Sequence, residues 1–551
     1  MTKSVAVVNT MLLSILCLCF AISSCIEKQM QVPSDRPNIV LIIADDLGYS
    51  DLGCFGSEIA TPNIDALASQ GQIFTNFYTA ATCSPTRAML LSGTDNHLAG
   101  LGNMAERVPA IVQQVGQPGY EGYLNDRVVS IAKLIRDQGY HTYIAGKWHL
   151  GLTPDQSPQS KGFERSFTLL DAYANHYQPD NRYTSFWQDD GYTGYPNGEY
   201  STKVYTDKLI EFIEDDLEDT DPFFLMASYT SPHWPLQAPP ENIEMYQAKY
   251  DFGYDSLRML RFQGLKKKGI ISSNATLPEL PAVKGNLYEI SNLPLLPWTS
   301  LSSYQQKIEA RKMEIYAGMV DNLDEHVGRL MDYLKEIGKF ENTLFIFFSD
   351  NGAAVLDFNY TPPESEEYQS MGTYSSFVAY GPPWAHASSA AYRFYKGYAS
   401  EGGIRSPMIV KMPFQKDTGA VVPAFTTVMD IAPTLLEIAG GRYPASYENR
   451  PLTPYKGKSL LPLLHGESNR VHMEDYVMGW ELFGRGALRQ GDWKITLIEP
   501  PFGMGRFELF NLREDPGESH DLSEKYPDIY QEMLKHWENY IQENGVILEN
   551  R

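Results

Sequence analysis

The stretch NIVLIIADD, residues 38–46, decides the fold. Its apolar run from Ile39 to Ala44 is continuous rather than alternating, and it ends in two acids, Asp45 and Asp46. Continuous apolar runs of this length are typical of strands that are buried on both faces, as in a parallel sheet covered by helices. We therefore predict a central strand here, with two carboxylates at its carboxyl end.

Three further segments share this design: YHTYIAGKWH at 140–149, FFLMASYTSPHW at 223–234 and TLFIFFSDNG at 343–352. Each apolar run is followed by polar residues, namely Lys147 and His149, His233, and Asp350 and Asn351. Helical patterns lie between the runs, and the clearest is the apolar stripe Ile315, Met319, Leu323, Val327, Leu330 and Leu334. This alternation predicts the α/β class. Because sites in open α/β sheets lie beyond the carboxyl ends of the strands, we expect these polar residues to share one edge.

The pattern changes after about residue 470. YVMGWEL, GALRQGDWKITLI and RFELFNL are typical of antiparallel strands, and YPDIYQEMLKHWENYIQEN predicts a closing amphipathic helix. We therefore predict a large domain over residues 36–470 and a smaller C-terminal domain over residues 471–551. Residues 240–310 are rich in Pro, Tyr and Lys and lack clear periodicity, which predicts a long insertion near the site.

The first residues predict export. MLLSILCLCFAIS is an apolar core of signal-peptide length, and ISSC at 22–25 resembles a bacterial lipobox, with cleavage before Cys25 and lipid on its sulfur. An ordinary secretory signal is the alternative, and both place the mature protein outside the cytoplasm. We predict a signal peptide over residues 1–24, a linker over 25–35, and a periplasmic or cell-surface lipoprotein anchored to the membrane through Cys25.

Charge and cysteine content narrow the partners and the redox chemistry. The net charge of −23 argues against nucleic acid as the main partner. Cys17 and Cys19 leave with the signal peptide, and Cys25 carries the lipid. The remaining pair, Cys54 and Cys83, allows at most one disulfide, and none if Cys83 has another function.

Four oxygen donors follow two of the predicted strands: Asp45, Asp46, Asp350 and Asn351. Burying three carboxylates together is costly unless a cation neutralises them. Oxygen ligands suit a hard cation, Ca²⁺ or Mg²⁺. The alternative is that each acid caps a helix or forms a turn.

Five side chains of the same regions are cationic or can become so: Arg87, Lys147, His149, His233 and Lys396. A metal ion among such groups predicts an anion-binding pocket. TCSPTRAMLLSG, residues 82–93, predicts a helix with Ser84 as N-cap, Pro85 as first helical residue and Gly93 as its stop. Its arginine then falls in the first turn, where the dipole favours anions, which fits if an anionic group lies near Cys83.

The segment CSPTR, residues 83–87, followed by AMLLSG, is similar to the C-x-P-x-R signature of the type I sulfatases. Six more segments resemble sulfatase blocks in the family's order: PNIVLIIADDLGYSDLGCFG, TPNIDALASQG, IAGKWHLG, SPHWPLQAP, FSDNGA and YGPPWAHASSAAYRFYKGYASEGGIRSP. The last resembles bacterial arylsulfatases in particular. The resemblance covers roughly residues 36–545. It implies an alkaline-phosphatase-like sandwich, with a large mixed central sheet flanked by helices in the catalytic domain, and a small C-terminal domain.

The resemblance also implies the cofactors and the role of each site residue. A maturation enzyme would convert Cys83 to formylglycine, present as its hydrate, and one Ca²⁺ would be bound by Asp45, Asp46, Asp350, Asn351 and residue 83. Arg87 would hold the hydrate and fix the metal side. Lys147 would stabilise its alkoxide and contact the sulfate, and His149 would be its proton partner. His233 and Lys396 would grip the sulfate and assist the leaving alcohol.

The implied reaction is hydrolysis of sulfate monoesters. The expected substrate is a sulfated carbohydrate, with O-sulfated galactose or N-acetylgalactosamine as the leading candidates and Tyr and Trp of residues 240–300 available to stack on sugar rings. The alternatives are an arylsulfatase acting on small aromatic sulfates and a formylglycine phosphodiesterase or phosphonate hydrolase. A further alternative is an inactive lipoprotein that binds sulfated glycans, if Cys83 stays unmodified.

Overall fold

The computed structural model describes residues 36–180, 184–280, 296–356, 368–415 and 418–549. The predicted signal peptide, lipobox and linker lie outside these residues. None of the helices in these ranges combines the length and the apolar character that a bilayer span requires.

The central sheet consists of β1 (Asn38–Ala44), β2 (Gln72–Tyr78), β3 (His141–Lys147), β4 (Arg165–Leu169), β5 (Phe186–Gln188), β6 (Gly191–Thr193), β7 (Phe223–Ser228), β8 (Thr343–Ser349), β9 (Arg405–Lys411), β10 (Ala420–Val422) and β11 (Thr426–Thr427). Their order is β10-β2-β9-β8-β1-β7-β3-β4-β5-β6, and β11 also pairs with β2. The sheet is mixed, because β9 runs antiparallel to β2 and β8. The predicted α/β class and the mixed central sheet are confirmed.

The four predicted runs are the neighbouring strands β8, β1, β7 and β3, and all three pairings between them are parallel. The side chains of β1 explain why its run is continuous. Val40 and Ile42 pack into the hydrophobic core on one face of the sheet, whereas Ile39 and Leu41 pack into the core on the other. A strand between two cores needs apolar residues at every position.

The helices that cover the sheet and close the chain are α1 (Pro62–Gln70), α2 (Cys83–Ser92), α3 (Ile131–Arg136), α4 (Ser201–Asp215), α5 (Pro240–Glu244), α6 (Tyr254–Lys267), α7 (Ser303–Glu336), α8 (Gly381–Ser388), α9 (Glu401–Ile404), α10 (Ile431–Ile438), α11 (Leu461–Leu464) and α12 (Pro527–Asn544). A capping box of Ser302 and Gln305 starts α7. All six residues of the predicted apolar stripe are buried on α7.

The C-terminal part forms a second, antiparallel sheet. Its strands are β14 (Val477–Leu482), β15 (Arg485–Gln490), β16 (Trp493–Leu497) and β17 (Phe507–Asn511), and a short hairpin of β12 (Ser446–Tyr447) and β13 (Arg450–Pro451) precedes them. On one face Leu488 packs with Trp537 of α12. On the other face Trp480 and Ala487 belong to a core of the large domain. The predicted strands and closing helix are confirmed.

The prediction for residues 240–310 was wrong in one respect, because α6 is a regular helix within them. The Tyr and Trp side chains that the structure describes within residues 240–300 are Tyr246, Tyr250, Tyr254 and Trp298, and all four are buried in the core. Tyr254 and Trp298 pack edge to face, with ring centroids 5.3 Å apart. Because none of the four lines the cavity described below, they are not positioned to stack on a substrate. Tyr288 lies outside the described residues.

Candidate active site

The carboxyl ends of the four parallel strands bring the predicted site residues together. Ala44 of β1 is in register with Ser349 of β8, and Gly146 of β3 with Ser228 of β7. The residues that follow these strands therefore leave the sheet at one edge, as the sequence predicted. Asp45, Asp46, Lys147, His149, His233, Asp350 and Asn351 are all buried there.

The backbone at this edge adopts conformations that favour glycine. Asp46 and His149 have positive φ angles of 66° and 56°, which are uncommon for residues with a side chain and concentrate at functional sites. Gly146 has a φ of 112°, and a Cβ added there would lie 1.8 Å from the carbonyl oxygen of Ser228. Only glycine allows β3 to approach β7 this closely just before Lys147.

Helix α2 presents Cys83 to the same edge. It starts at Cys83 with Thr82 as N-cap, so the prediction of Ser84 as N-cap was wrong by two residues. Both hydroxyls, those of Thr82 and Ser84, lack a hydrogen-bond partner among the described residues. Gly93 ends the helix in the left-handed conformation, as predicted.

Three buried ion pairs hold the site together: Lys147 Nζ to Asp45 Oδ2 at 2.7 Å, Lys396 Nζ to Asp46 Oδ1 at 2.6 Å, and Arg87 Nη2 to Asp350 Oδ2 at 2.9 Å. Three cations thus balance three carboxylates. The sequence argument that these acids need a metal was therefore incomplete, since paired charges can be buried without one. A divalent cation would make the site net positive, which suits an anionic ligand.

Arg87 binds partners at the carboxyl ends of three strands. Besides Asp350, its guanidinium donates to Ser228 Oγ and to the carbonyl oxygen of Lys147, the latter at 2.9 Å. Ser228 Oγ donates to the same carbonyl at 2.6 Å. Arg87 is the fifth residue of α2, so the prediction that it falls in the first turn was wrong. Its guanidinium finds its anion in the carboxylate of Asp350.

Cys83 lies at the centre of these groups. Its Sγ is 3.4 Å from Asp45 Oδ1, 3.9 Å from Asp46 Oδ1 and 3.1 Å from Lys396 Nζ. Burial raises the pKa of the Cys83 thiol well above its usual range, and the charge of Asp350 adds to this effect. The unmodified thiol is therefore protonated and a poor nucleophile at neutral pH. Cys83 and Cys54 are both free, so neither forms a disulfide.

The donor set fits a metal ion. Ligand atoms of Asp45, Asp46, Cys83 and His233 all lie within 4.8 Å of one another. Asp46 Oδ2 and Asn351 Oδ1 are buried, and neither has a hydrogen-bond partner among the described residues. Burying an oxygen atom without a partner costs free energy unless a cation binds it or a hydrogen bond is donated to it.

This group differs from the predicted ligand set in two ways. Asp350, which the sequence placed among the ligands, is not in the group of four; it pairs with Arg87, and its Oδ1 accepts from the backbone N–H of Asp46 at 3.3 Å. Burial and the charge of Asp45 raise the pKa of Asp350 to about 6 despite Arg87, so a nearby cation would stabilise its ionised form. His233, predicted to contact sulfate, is in the group.

His233 has an identifiable protonation state. Its Nδ1 lies 2.6 Å from the carbonyl oxygen of Trp234, and since a carbonyl only accepts, this nitrogen carries the proton. Nε2 then presents a lone pair to Asp46 Oδ2 at 3.5 Å, and two lone pairs facing each other require a cation or a proton between them. Burial lowers the pKa of His233 to about 3, although Asp46 opposes this. His176 supports His233, because the Nε2 of His176 lies 3.0 Å from the backbone carbonyl oxygen of His233.

His149 is held by a residue that the sequence did not point to. Its Nε2 lies 3.5 Å from Glu106 Oε2, so Nε2 is the donor and the lone pair is on Nδ1. Nδ1 has no hydrogen-bond partner among the described residues. Glu106 is in a loop without periodicity, and Ser228 and His176 are single polar residues, so no pattern identified these three.

A cavity of about 830 Å³ opens over the site. Its base is formed by Cys83, Lys147, His149, His233 and Lys396. Its wall includes Tyr173 and Trp234, whose ring centroids are 4.2 Å apart, and the acids Glu106 and Asp171. All five predicted catalytic side chains other than Arg87 therefore face one ligand-sized space.

Two family profiles match the chain. The one described as Sulfatase matches residues 37–441, and the one described as N-sulphoglucosamine sulphohydrolase, C-terminal, matches residues 391–544. The chain therefore belongs to the sulfatase family, and it is an enzyme that hydrolyses sulfate esters.

Similar proteins cover nearly the same length. The chain is 41% identical over 542 residues to an uncharacterized sulfatase of Schizosaccharomyces pombe, covering 94% of this chain and 95% of the relative. It is 36% identical over 441 residues to an arylsulfatase of Klebsiella aerogenes, covering 77% and 91%. The crystal structure of Ps i-CgsB in complex with k-i-k-neocarrahexaose has a TM-score of 0.65 at 24% identity, covering 93% and 94%, and this likeness concerns the fold.

The contact between Glu106 and His149 predicts a pH effect. Burial lowers the pKa of His149 from 6.5, with Lys147 and Arg87 adding to the effect and Glu106 opposing it. If neutral His149 accepts a proton, kcat/KM falls as the pH drops through this pKa. Glu106→Gln removes the opposing charge, so we expect the acid limb of the kcat/KM profile to move to lower pH.

The control for this profile is Glu121→Gln. Glu121 also lines the cavity but pairs with Arg127 at 2.7 Å, so its loss is expected to leave the acid limb in place. An acid limb that stays fixed in Glu106→Gln, or that moves to higher pH, contradicts the assignment of His149 as the base.

Proposed function

We propose that residue 83 acts as formylglycine, with one Ca²⁺ beside it, and that the substrate is a sulfated carbohydrate. The observation that carries the proposal is the position of Cys83, whose Sγ lies 3.1 Å from Lys396 Nζ and 3.4 Å from Asp45 Oδ1 at the base of the cavity. A thiol that burial keeps protonated is poorly suited to attack sulfur itself. The CSPTR segment supports its conversion by a maturation enzyme.

Asp45, Asp46, Asp350 and Asn351, with residue 83, would hold the Ca²⁺, and the ligand group in the structure adds His233 as a candidate. When bound, the ion supplies positive charge to the sulfate oxygens, and the hydrated aldehyde supplies one hydroxyl to attack sulfur and a second from which sulfate is expelled. Arg87 of α2 keeps Asp350 in place.

The chain's own residues handle the protons and the remaining charge. Lys147 Nζ, buried next to Asp45, stabilises an ionised hydroxyl at residue 83. His149 Nδ1 carries the lone pair and takes the proton of the second hydroxyl. Lys396 Nζ contacts the sulfate and supplies a proton to the leaving alcohol. Because burial keeps His233 neutral with its proton on Nδ1, its Nε2 can donate to a sulfate oxygen only after taking up a second proton. Lys396 therefore makes the main contact with the sulfate.

The wall of the cavity supports a sugar as the alcohol. Tyr173 and Trp234 form an aromatic surface directly beside His233, with the Trp234 and His233 centroids 4.8 Å apart. Glu106 and Asp171 offer carboxylates that can accept hydrogen bonds from hydroxyl groups. O-sulfated galactose and N-acetylgalactosamine remain the leading candidates, and an aromatic sulfate is the second candidate, favoured by the likeness to the Klebsiella aerogenes arylsulfatase.

A substrate panel tests the proposal. We expect sulfate esters to exceed matched phosphate diesters and phosphonate esters in kcat/KM by at least ~10²-fold. All three groups carry one negative charge, so this expectation rests on the family to which the chain belongs and not on charge. Among the sulfates, sulfated galactose or N-acetylgalactosamine should exceed 4-nitrophenyl sulfate. A preference for phosphonates would favour the phosphonate hydrolase. A preference for the aryl sulfate would favour the arylsulfatase, and binding without turnover would favour a glycan receptor.

We also propose that the mature protein is exported and anchored through lipid on Cys25. The support is the apolar core followed by ISSC at residues 22–25. Mass spectrometry of the mature N-terminus tests this, since an ordinary secretory signal would leave Cys25 without lipid.

A further inference from the structure

The C-terminal sheet reaches the loop of Lys396 through one arginine. Arg485 of β15 donates from Nη1 to the carbonyl oxygen of Gly397 at 3.0 Å, one residue after Lys396. Its guanidinium also lies 4.0 Å from the ring centroid of Tyr398, within the range of a cation–π contact. Arg485 is only 3% exposed, so these contacts are shielded from water.

The peptide next to Lys396 is held from three directions. The backbone N–H of Lys396 donates to the carbonyl oxygen of Ala353 at 3.1 Å, and that of Gly397 donates to Ala81 at 2.7 Å. Ala353 follows Asn351 closely in the sequence, and Ala81 closely precedes Cys83. Arg485 is the third, and it comes from outside the catalytic edge of the central sheet. Gly397 has a φ of 83°, so the chain turns sharply at this point.

The guanidinium is itself fixed by Glu499. Arg485 Nε lies 2.8 Å from Glu499 Oε2 and 3.1 Å from Oε1. The planar fork therefore binds a carboxylate along one edge and offers Nη1 to the carbonyl on the other. A lysine at this position could reach one of these partners but not both.

We infer that Arg485 is a positioning residue that acts through Lys396. By fixing the peptide at Gly397, it keeps Lys396 Nζ at 2.6 Å from Asp46 Oδ1 and 3.1 Å from Cys83 Sγ. The C-terminal domain thus contributes to the active site without contacting the substrate. This inference rests on the proposed role of Lys396 in binding sulfate.

Arg489 is a matched control on the same strand. It is four residues away, so both side chains lie on the face of β15 that meets the large domain. Arg489 is 7% exposed, donates from Nε to the carbonyl oxygen of Gly491 at 2.9 Å and lies over Tyr78. It therefore resembles Arg485 in burial and contacts, but its partners are not in the Lys396 loop.

The test is a double-mutant cycle with kcat/KM for a sulfated sugar, the dissociation constant of inorganic sulfate, and Tm. We expect Arg485→Gln to lower kcat/KM by ~10–100-fold and to weaken sulfate binding, because a shift of about 1 Å in a catalytic group can cost 10²-fold. Arg485→Lys should be intermediate. Arg489→Gln should lower Tm by a similar amount but leave kcat/KM nearly unchanged.

In the Lys396→Ala background, the effect of Arg485→Gln on sulfate binding and kcat/KM should nearly vanish, because the side chain that Arg485 positions has been removed. An equal loss in both backgrounds overturns the inference and leaves the proposed function intact. If Lys396→Ala alone changes neither quantity, the proposed role of Lys396 fails first, and the inference falls with it. If Arg485→Gln does not fold, Arg485→Lys takes its place in the cycle.

Discussion

Replacing Cys83 by alanine or serine is expected to lower kcat/KM by on the order of 10⁴-fold or more, the scale seen when a nucleophile is removed. Alanine removes the reacting atom. Serine restores one hydroxyl, but a single hydroxyl that attacks sulfur leaves a sulfate ester with no second hydroxyl to expel the sulfate. The serine variant should therefore stop after one turnover and gain the mass of one SO₃ group at residue 83.

Cys54→Ala is the control, because Cys54 is the other buried free cysteine among the residues that the structure describes and lies outside the site. It is expected to keep wild-type kcat/KM with at most a lower Tm. Peptide mass spectrometry of residue 83 accompanies the kinetics, and active preparations should contain formylglycine there. Full activity in a preparation in which residue 83 is entirely unmodified cysteine would falsify the assignment.

The middle of the central sheet and the position of the site were predictable because β1, β3, β7 and β8 each lie between two cores. That environment demands apolar residues at every position, so β1, β3, β7 and β8 stand out in the sequence, and the polar residues after each run must leave at one edge. The same reasoning covers α7, whose apolar stripe belongs to the same core as Val40 and Ile42 of β1.

Other features depend on distances that a sequence does not contain. The ion pair between Lys147 and Asp45 joins residues 102 positions apart in the sequence. The ion pair between Lys396 and Asp46 joins residues 350 positions apart. Neither pairing follows from local spacing, and together they change the charge argument for the metal. Helix α6 was missed because it buries Arg258 and Arg261 and exposes Met259 and Leu260, so its apolar periodicity is weak.

The residues that hold the site residues in place could not be predicted from the sequence either. Glu106 orients His149 from an irregular loop, and Arg485 reaches Gly397 from a strand 88 residues further along the chain. Both contacts join a side chain to a partner through tertiary folding alone. The sequence therefore identified the groups that resemble the family's chemistry and missed the groups that hold them.

Removing the metal is the second change with a large expected effect. Asp46 is completely buried, and its Oδ2 has no hydrogen-bond partner among the described residues, so this oxygen is the strongest candidate to bind an ion. We expect chelation to abolish activity and added Ca²⁺ to restore it. Asp46→Asn should weaken Ca²⁺ binding and kcat/KM together, each by at least ~10²-fold, since even changes to residues that only orient a ligand cost 10–100-fold.

A loss of activity in Asp46→Asn could also arise from a damaged fold, and the Ca²⁺ dependence of Tm separates the two causes. A ligand that binds the folded state stabilises it by about 2.7 kcal/mol when present at 100 times its Kd, so the wild type should gain in Tm as Ca²⁺ is added. Asp51→Asn is the matched control, because Asp51 is equally buried but hydrogen-bonds to Arg261 and Tyr316.

The control should start from a lower Tm and show the same gain with Ca²⁺, whereas Asp46→Asn should show almost none. Elemental analysis adds an independent measure, and one calcium per chain is expected. Two zinc ions per chain without calcium, or equal gains in Tm for both variants, would contradict the site. The three cations of the site already balance its three carboxylates, so the site attracts sulfate only when the divalent ion is added. Activity should therefore rise in proportion to Ca²⁺ occupancy.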